Sequence, residues 1–132
     1  ISRTFVCGNI FNDNQKNLYS MAVNQINHNS SLIKDGTTFK EFIEKSWKLP
    51  EEYYGNRYSV MVHGIGLCDE WPSIRYPTDG GDKGGIFQKN MTITVESYIG
   101  KVGGKEGVKL EQQYLVGQNG LELMSHHPLE DI

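Results

Sequence analysis

Two stretches in the second half of the chain alternate between apolar and polar residues, and they constrain the fold more than any other feature. The stretches are residues 91–98 and 108–116, joined by a glycine-rich connection over 100–107. Because successive side chains of a strand point to opposite faces, each stretch is predicted to be a strand with one polar face. Glu96 and Glu111 lie centrally on these polar faces. If the strands pair, both carboxylates face one cleft, and an ordinary solvated outer face is the alternative.

One further strand and a long helix are predicted in the first third of the chain. Residues 1–7 are β-branched and aromatic up to Gly8, which favours a strand that ends in a turn. An apolar stripe with a 3.6-residue period then predicts a helix from about residue 14 to residue 29 or 32. Asn12 or Asp13 can accept the hydrogen bonds of its first turn.

A second helix and short strands complete the predicted fold. Thr38, with Glu41 three residues later, has the pattern of a capping box, and Trp47 closes the apolar face of the helix that follows. Strands are expected over 58–62 and 121–124, with a loop over 71–85. The predicted fold class is α+β, with two helices packed on a curved, mostly antiparallel sheet in a single domain over residues 1–132.

The charge balance and the lengths of the apolar runs argue against two classes of partner. The formal net charge is −3 and the pI is near 5.8, without any run of five Lys or Arg. A nucleic acid or a membrane is therefore not expected as a partner. No apolar stretch approaches the ~18–20 residues that span a bilayer. Cys7 and Cys68 lie far apart in the sequence and are expected to be reduced thiols of a cytoplasmic protein.

His63 joins the two carboxylates as a candidate metal ligand. It stands at the end of a predicted strand, where Gly64 and Gly66 let the backbone approach closely. A histidine and two carboxylates from three sheet segments form a donor set for a hard or borderline divalent metal. Such an ion can polarise a carboxylate or carbonyl oxygen and acidify the group attached to it.

Three motifs, in this order, resemble the metal-site signature of the pita-bread family, which includes methionine aminopeptidase, aminopeptidase P, prolidase and creatinase. The motifs are HGIGL beginning at His63, NMTITVE ending at Glu96 and GVKLE ending at Glu111. The resemblance implies that these three residues bind one or two ions of iron, manganese or zinc. It also implies two aspartate ligands upstream of Ile1. Residues 1–132 are then the carboxy-terminal part of a pita-bread catalytic domain, inactive alone, from a protein that forms a homodimer.

One position departs from the peptidases of this family and agrees with a lyase branch. The peptidases carry a second histidine seven residues after the liganding one, whereas position 70 is Glu here. The run DEWP over 69–72 is similar to that of the dimethylsulfoniopropionate lyases that share the fold. This resemblance implies that Asp69 is the catalytic base and that Tyr58 contacts the substrate. Trp71 is a further candidate for substrate binding, because aromatic faces suit a sulfonium cation.

Three functions remain as alternatives at this point. The first is a metal-dependent lyase that converts dimethylsulfoniopropionate, a small-molecule substrate, to dimethyl sulfide and acrylate by β-elimination. The second is a metal-dependent hydrolase of the prolidase, aminopeptidase P or creatinase type. The third is a binding module without catalysis, and the presence of all three candidate metal ligands argues against it. A purely structural alternative also exists, with Asp69 and Glu70 as surface acids of a loop and Trp71 as a packing residue.

Overall fold

The computed structural model describes residues 1–8, 10–67 and 70–129, which form three helices and a five-stranded antiparallel sheet. The helices are α1 (Asp13–Ser31), α2 (Phe39–Lys45) and α3 (Glu51–Tyr54), and the strands are β1 (Val60–Gly64), β2 (Ser73–Arg75), β3 (Thr92–Gly100), β4 (Gly107–Val116) and β5 (Leu121–Leu123). The strand order is β2-β1-β3-β4-β5. A short 3-10 helix, Pro77–Asp79, follows β2. The predicted α+β class is confirmed. None of the described helices is both long and apolar enough to cross a bilayer.

Helix α1 covers one face of β3 and β4 and so defines the core side of the sheet. Its first turn is closed by a capping box in which Asn12 and Gln15 each accept a hydrogen bond from the other's backbone N–H. The apolar stripe of the helix is buried against the inner face of the sheet, in a cluster that includes Leu18, Ala22, Ile26, Ile99, Val108 and Leu110. The opposite face of β3 and β4 is therefore free to carry polar side chains.

Helix α2 ends earlier than the sequence suggests. It has the expected capping box at Thr38 but stops at Lys45, so Trp47 lies beyond it. The backbone N–H of Trp47 donates to Oδ1 of Asn29, a buried residue of α1, at 2.9 Å. Because this N–H has a partner outside a helix, the chain can leave the helical path there. The four-residue helix α3, which the sequence did not predict, begins just after Pro50.

The segment before α1 lies along β4 but does not form the predicted strand. Among the described residues of this segment, Ser2 alone forms a backbone bridge, with Glu111. Two residues on, the hydroxyl of Thr4 takes the place of a backbone group, because it donates to the carbonyl and accepts from the N–H of Lys109 at 2.9 Å. The guanidinium of Arg3 adds a bond of 2.7 Å to the carbonyl of Glu111. The predicted strand over 1–7 is thus wrong, although Ser2 pairs with Glu111 of β4.

Candidate metal centre

The register of three strands brings the candidate ligands to one face of the sheet. Glu96 of β3 lies directly opposite Glu111 of β4, and His63 of β1 lies opposite Thr94 of β3. Residues 94 and 96 share a face because side chains alternate along a strand. One ligand atom from each of His63, Glu96 and Glu111 lies within 4.8 Å of the others. The three residues that the sequence singled out therefore meet at one point.

The imidazole of His63 is oriented by the backbone of the next residue, Gly64, at the end of β1. Its Nδ1 lies 2.8 Å from the carbonyl of Gly64, which can only accept, so Nδ1 carries the proton of this bond. Nε2 then faces the carboxylates, 2.9 Å from Oε1 of Glu96 and 3.4 Å from Oε1 of Glu111. The hydrogen bond to Glu111 raises the pKa of His63, while burial opposes the rise. The bond to Gly64 holds a proton on Nδ1, so Nε2 is the nitrogen that would bind a metal in place of its own proton.

Glu96 is buried and has a cationic partner. Only 4% of its surface is exposed, so the alternative of an ordinary solvated outer face is wrong for this residue. Its Oε2 forms an ion pair with the ammonium of Lys109, which projects from β4 on the same face. A buried carboxylate requires such a partner because its desolvation costs several kcal/mol. Lys109 was not singled out from the sequence, although its place two residues before Glu111 puts it on the polar face.

The second carboxylate, Glu111, is partly buried and is held by the first residues of the chain. The hydroxyl of Ser2 donates to its Oε2 at 2.8 Å, which leaves Oε1 toward His63. The hydrogen bond from His63 lowers the pKa of Glu111 to about 2, against the opposing effect of burial, and the bond from Ser2 contributes in the same direction. Glu111 is therefore ionised at neutral pH, as a metal ligand must be.

The residues present fit a divalent metal ion. They offer one imidazole nitrogen and two carboxylates around a common point, and each is oriented by a second group: the Gly64 carbonyl, Lys109 or Ser2. The buried side chain of Thr94 lies on the same face, opposite His63 of β1. Imidazole and carboxylate are donor types that manganese, iron and zinc bind.

The loop after β1 passes so close to the site that only glycine fits at position 64. A Cβ built on Gly64 would lie 1.9 Å from the carbonyl oxygen of Trp71. The N–H of Gly64 also donates to the carbonyl of Pro72 at 2.7 Å. This contact continues into the pairing of His63 with Ser73 of β2, a strand that the sequence analysis assigned to a loop. The close approach therefore fixes the end of β1 that carries the histidine.

Replacing Gly64 by alanine is expected to destabilise the protein by about 2–3 kcal/mol, because the new methyl group overlaps a backbone carbonyl that cannot move freely. Urea unfolding followed by circular dichroism measures this change. Gly120→Ala is the matched control, since a Cβ there meets no atom within 4 Å. Equal stabilities of the two variants would contradict the close packing of the loop against β1.

The remaining site residues fall in three different situations. The ring of Tyr58 lies at the edge of the cluster, with the Lys109 ammonium 3.9 Å from its centroid. Trp71 is 56% exposed in this chain, and the ammonium of Lys83 lies 5.9 Å from its ring centroid. Asp69, the proposed base, lies outside the described residues together with its neighbour Cys68.

Comparison with known proteins assigns the chain to a family. Residues 1–118 match the model of metallopeptidase family M24. The chain belongs to this family. M24 is a family of metalloenzymes, which agrees with the donor set at residues 63, 96 and 111. The resemblance to the pita-bread enzymes is thereby confirmed.

Two curated relatives of this M24 chain are both dimethylsulfoniopropionate lyases DddP. The protein from Roseovarius nubinhibens is 36% identical over 104 residues, which cover 77% of this chain and 23% of the relative. The protein from Roseobacter denitrificans is 32% identical over 117 residues, which cover 86% of this chain and 26% of the relative. The chain therefore spans about a quarter of the length of these relatives.

A solved structure agrees on the fold. The X-Pro aminopeptidase from Thermotoga maritima matches with a TM-score of 0.68 and 26% identity, over 90% of this chain and 33% of that one. The sheet and helices of the M24 chain are thus part of a pita-bread fold, as the sequence resemblance implied. In the described residues the sheet is open, with β2 and β5 as its edges.

Proposed function

We propose that the protein containing this chain is a metal-dependent lyase that cleaves dimethylsulfoniopropionate to dimethyl sulfide and acrylate. The observation that carries the proposal is the 36% identity to a lyase of this name across 77% of the chain, with a second such relative at 32%. The glutamate at position 70 also supports the proposal, because the family's peptidases typically have a histidine there. The convergence of His63, Glu96 and Glu111 supports a metal-dependent reaction.

The proposal assigns His63, Glu96 and Glu111 as metal ligands. A divalent or ferric ion held there would stabilise the negative charge that develops on the substrate carboxylate. Iron, manganese and zinc all suit this donor set. Two aspartates from the rest of the protein would complete the coordination. Residues 1–132 are accordingly proposed as the carboxy-terminal part of a larger catalytic domain, in a cytoplasmic homodimer.

The chemistry itself is assigned to Asp69 in this proposal. Its carboxylate takes the proton from the carbon next to the substrate carboxylate, and the electron pair of that C–H bond forms the new double bond. The bond between carbon and sulfur breaks at the same time, so dimethyl sulfide leaves and acrylate remains. Tyr58 and Trp71 are proposed to shape the site around the substrate, with Trp71 offering an exposed aromatic face to the sulfonium group.

The full-length protein, purified with manganese, iron or zinc, is expected to release dimethyl sulfide from dimethylsulfoniopropionate and to cleave Xaa-Pro dipeptides little. Headspace gas chromatography measures the first product and a proline-release assay measures the second. Removing the metal with a chelator should abolish the gas release, and adding it back should restore it. Rapid proline release without any dimethyl sulfide would refute the lyase proposal.

A hydrolase of the prolidase or aminopeptidase P type is the second candidate. The supporting observations are the family assignment over residues 1–118 and the structural match to an X-Pro aminopeptidase at 26% identity. The same three ligands would serve it, since one fold can host different reactions. Under this candidate Glu70 would take over the proton transfer that the missing histidine assists, and Asp69 would have no catalytic part.

A further inference from the structure

We propose that Lys109 binds the carboxylate of the substrate and selects for an anionic group beside the metal ligands. The inference rests on the proposed function and deepens it, because it names the part of the substrate that this face of the sheet receives. Lys109 is a cation for which the sequence pattern indicates no role. Lys109 lies in β4 two residues before Glu111, and its side chain is on the same face of the strand.

The ammonium of Lys109 is held in place from two sides. It forms an ion pair with Oε2 of Glu96, and it lies over the ring of Tyr58 at 3.9 Å from the centroid. An ammonium group has three N–H donors, and these two contacts do not use all of them. The side chain is still 30% exposed, so a ligand can reach it from the cleft. Among the described residues, Lys109 is thus a held cation with a donor that these two contacts leave unused.

This cation lies within reach of the shared ligand point. Glu96 directs Oε1 to His63 at 2.9 Å and its other oxygen to Lys109. One carboxylate group therefore spans the gap between the imidazole of His63 and the ammonium of Lys109. A substrate carboxylate that entered beside these ligands would in the same way be able to accept a hydrogen bond from Lys109. Charge-assisted hydrogen bonds of this type are about twice as strong as neutral ones.

The same geometry restricts where the cationic end of the substrate can lie. Tyr58 is a natural aromatic partner for a sulfonium group, but the Lys109 ammonium already covers its ring. Two cations on that ring would repel each other. The sulfonium group is therefore expected to lie away from the face of Tyr58 that contacts Lys109. The site discriminates between the two ends of its substrate.

The test uses propionate, an unreactive carboxylate, titrated by calorimetry into the metal-loaded full-length protein. Lys109→Met keeps the length of the side chain but removes the charge, and it should weaken propionate binding roughly 10- to 100-fold. Lys109→Arg keeps a cation and should bind within about threefold of the unaltered protein. Lys105→Met, at an exposed lysine before the start of β4, is the control and should bind propionate normally. Metal content is measured for every variant.

Three results would overturn the inference. The first is unchanged propionate binding by a metal-loaded Lys109→Met variant. The second is loss of the metal itself from that variant, because Lys109 would then act only by holding Glu96. If Lys109→Met does not fold, Lys109→Arg decides, and a folded, metal-loaded Lys109→Arg that no longer binds propionate overturns the inference as well. Propionate cannot undergo elimination, so its binding is measured independently of the lyase reaction. If propionate binding depends on Lys109 but the protein releases no dimethyl sulfide from dimethylsulfoniopropionate, the lyase proposal is refuted and the role of Lys109 is not.

Discussion

Asp69→Asn in the full-length protein should lower kcat for dimethyl sulfide release by ~10²–10⁴-fold, which is the contribution of a well-placed general base. Asparagine keeps the size and hydrogen bonding of aspartate but cannot accept the substrate proton. Metal content should stay unchanged, because Asp69 is not assigned as a ligand. Steady-state kinetics from headspace gas analysis give kcat, and atomic absorption gives the metal content.

Glu70→Gln is the matched control for this substitution. Glu70 is the adjacent carboxylate, is exposed to solvent, and has no proton-transfer role in the lyase proposal. Its charge does raise the pKa of nearby His63, so a small effect on the rate is compatible with the account. An active Asp69→Asn variant, combined with loss of proline release in Glu70→Gln, would favour the hydrolase and reject Asp69 as the base.

Glu111→Gln should weaken metal binding by more than about 100-fold, beyond the 10- to 100-fold typical of losing a group that only orients a ligand. The amide is neutral and a poorer donor, and it loses the ionic interaction with the metal. Calorimetric titration of the metal-free full-length protein with manganese measures the affinity. Glu122→Gln serves as the control, since Glu122 lies exposed on the edge strand β5. Equal affinities in the two variants would show that Glu111 is not a ligand.

The alternation of two stretches was sufficient to predict the face on which the site is built. In β4 every second residue is buried, as the sequence pattern indicates. The pattern could not predict the burial of Glu96 at 4%, because that depends on what covers the polar face. The direct pairing of Glu96 with Glu111 likewise depends on the path of the connection between the strands. Periodicity identifies a face, whereas register and burial are tertiary properties.

Short elements and side-chain contacts between strands could not be predicted from the sequence. Strand β2 has three residues within a stretch rich in Pro and Gly, and it forms because it pairs with β1. Along β4, Thr4 replaces a backbone partner with its hydroxyl, which no propensity anticipates. The contact of Lys109 with Glu96 and Tyr58 joins three separate segments. The sequence indicated only that residues 109 and 111 share a face. A lysine on such a face is more commonly solvated, so the contact could not be predicted.

Anomalous diffraction from crystals of the metal-loaded full-length protein shows whether His63, Glu96 and Glu111 bind the ion. Data collected above and below the absorption edge of manganese, iron or zinc locate the ion without reference to activity. We expect an anomalous peak about 2.0–2.2 Å from Nε2 of His63 and from a carboxylate oxygen of each of Glu96 and Glu111. A metal-loaded crystal whose anomalous peaks lie elsewhere, with the three side chains still paired to one another and to Lys109, would contradict it.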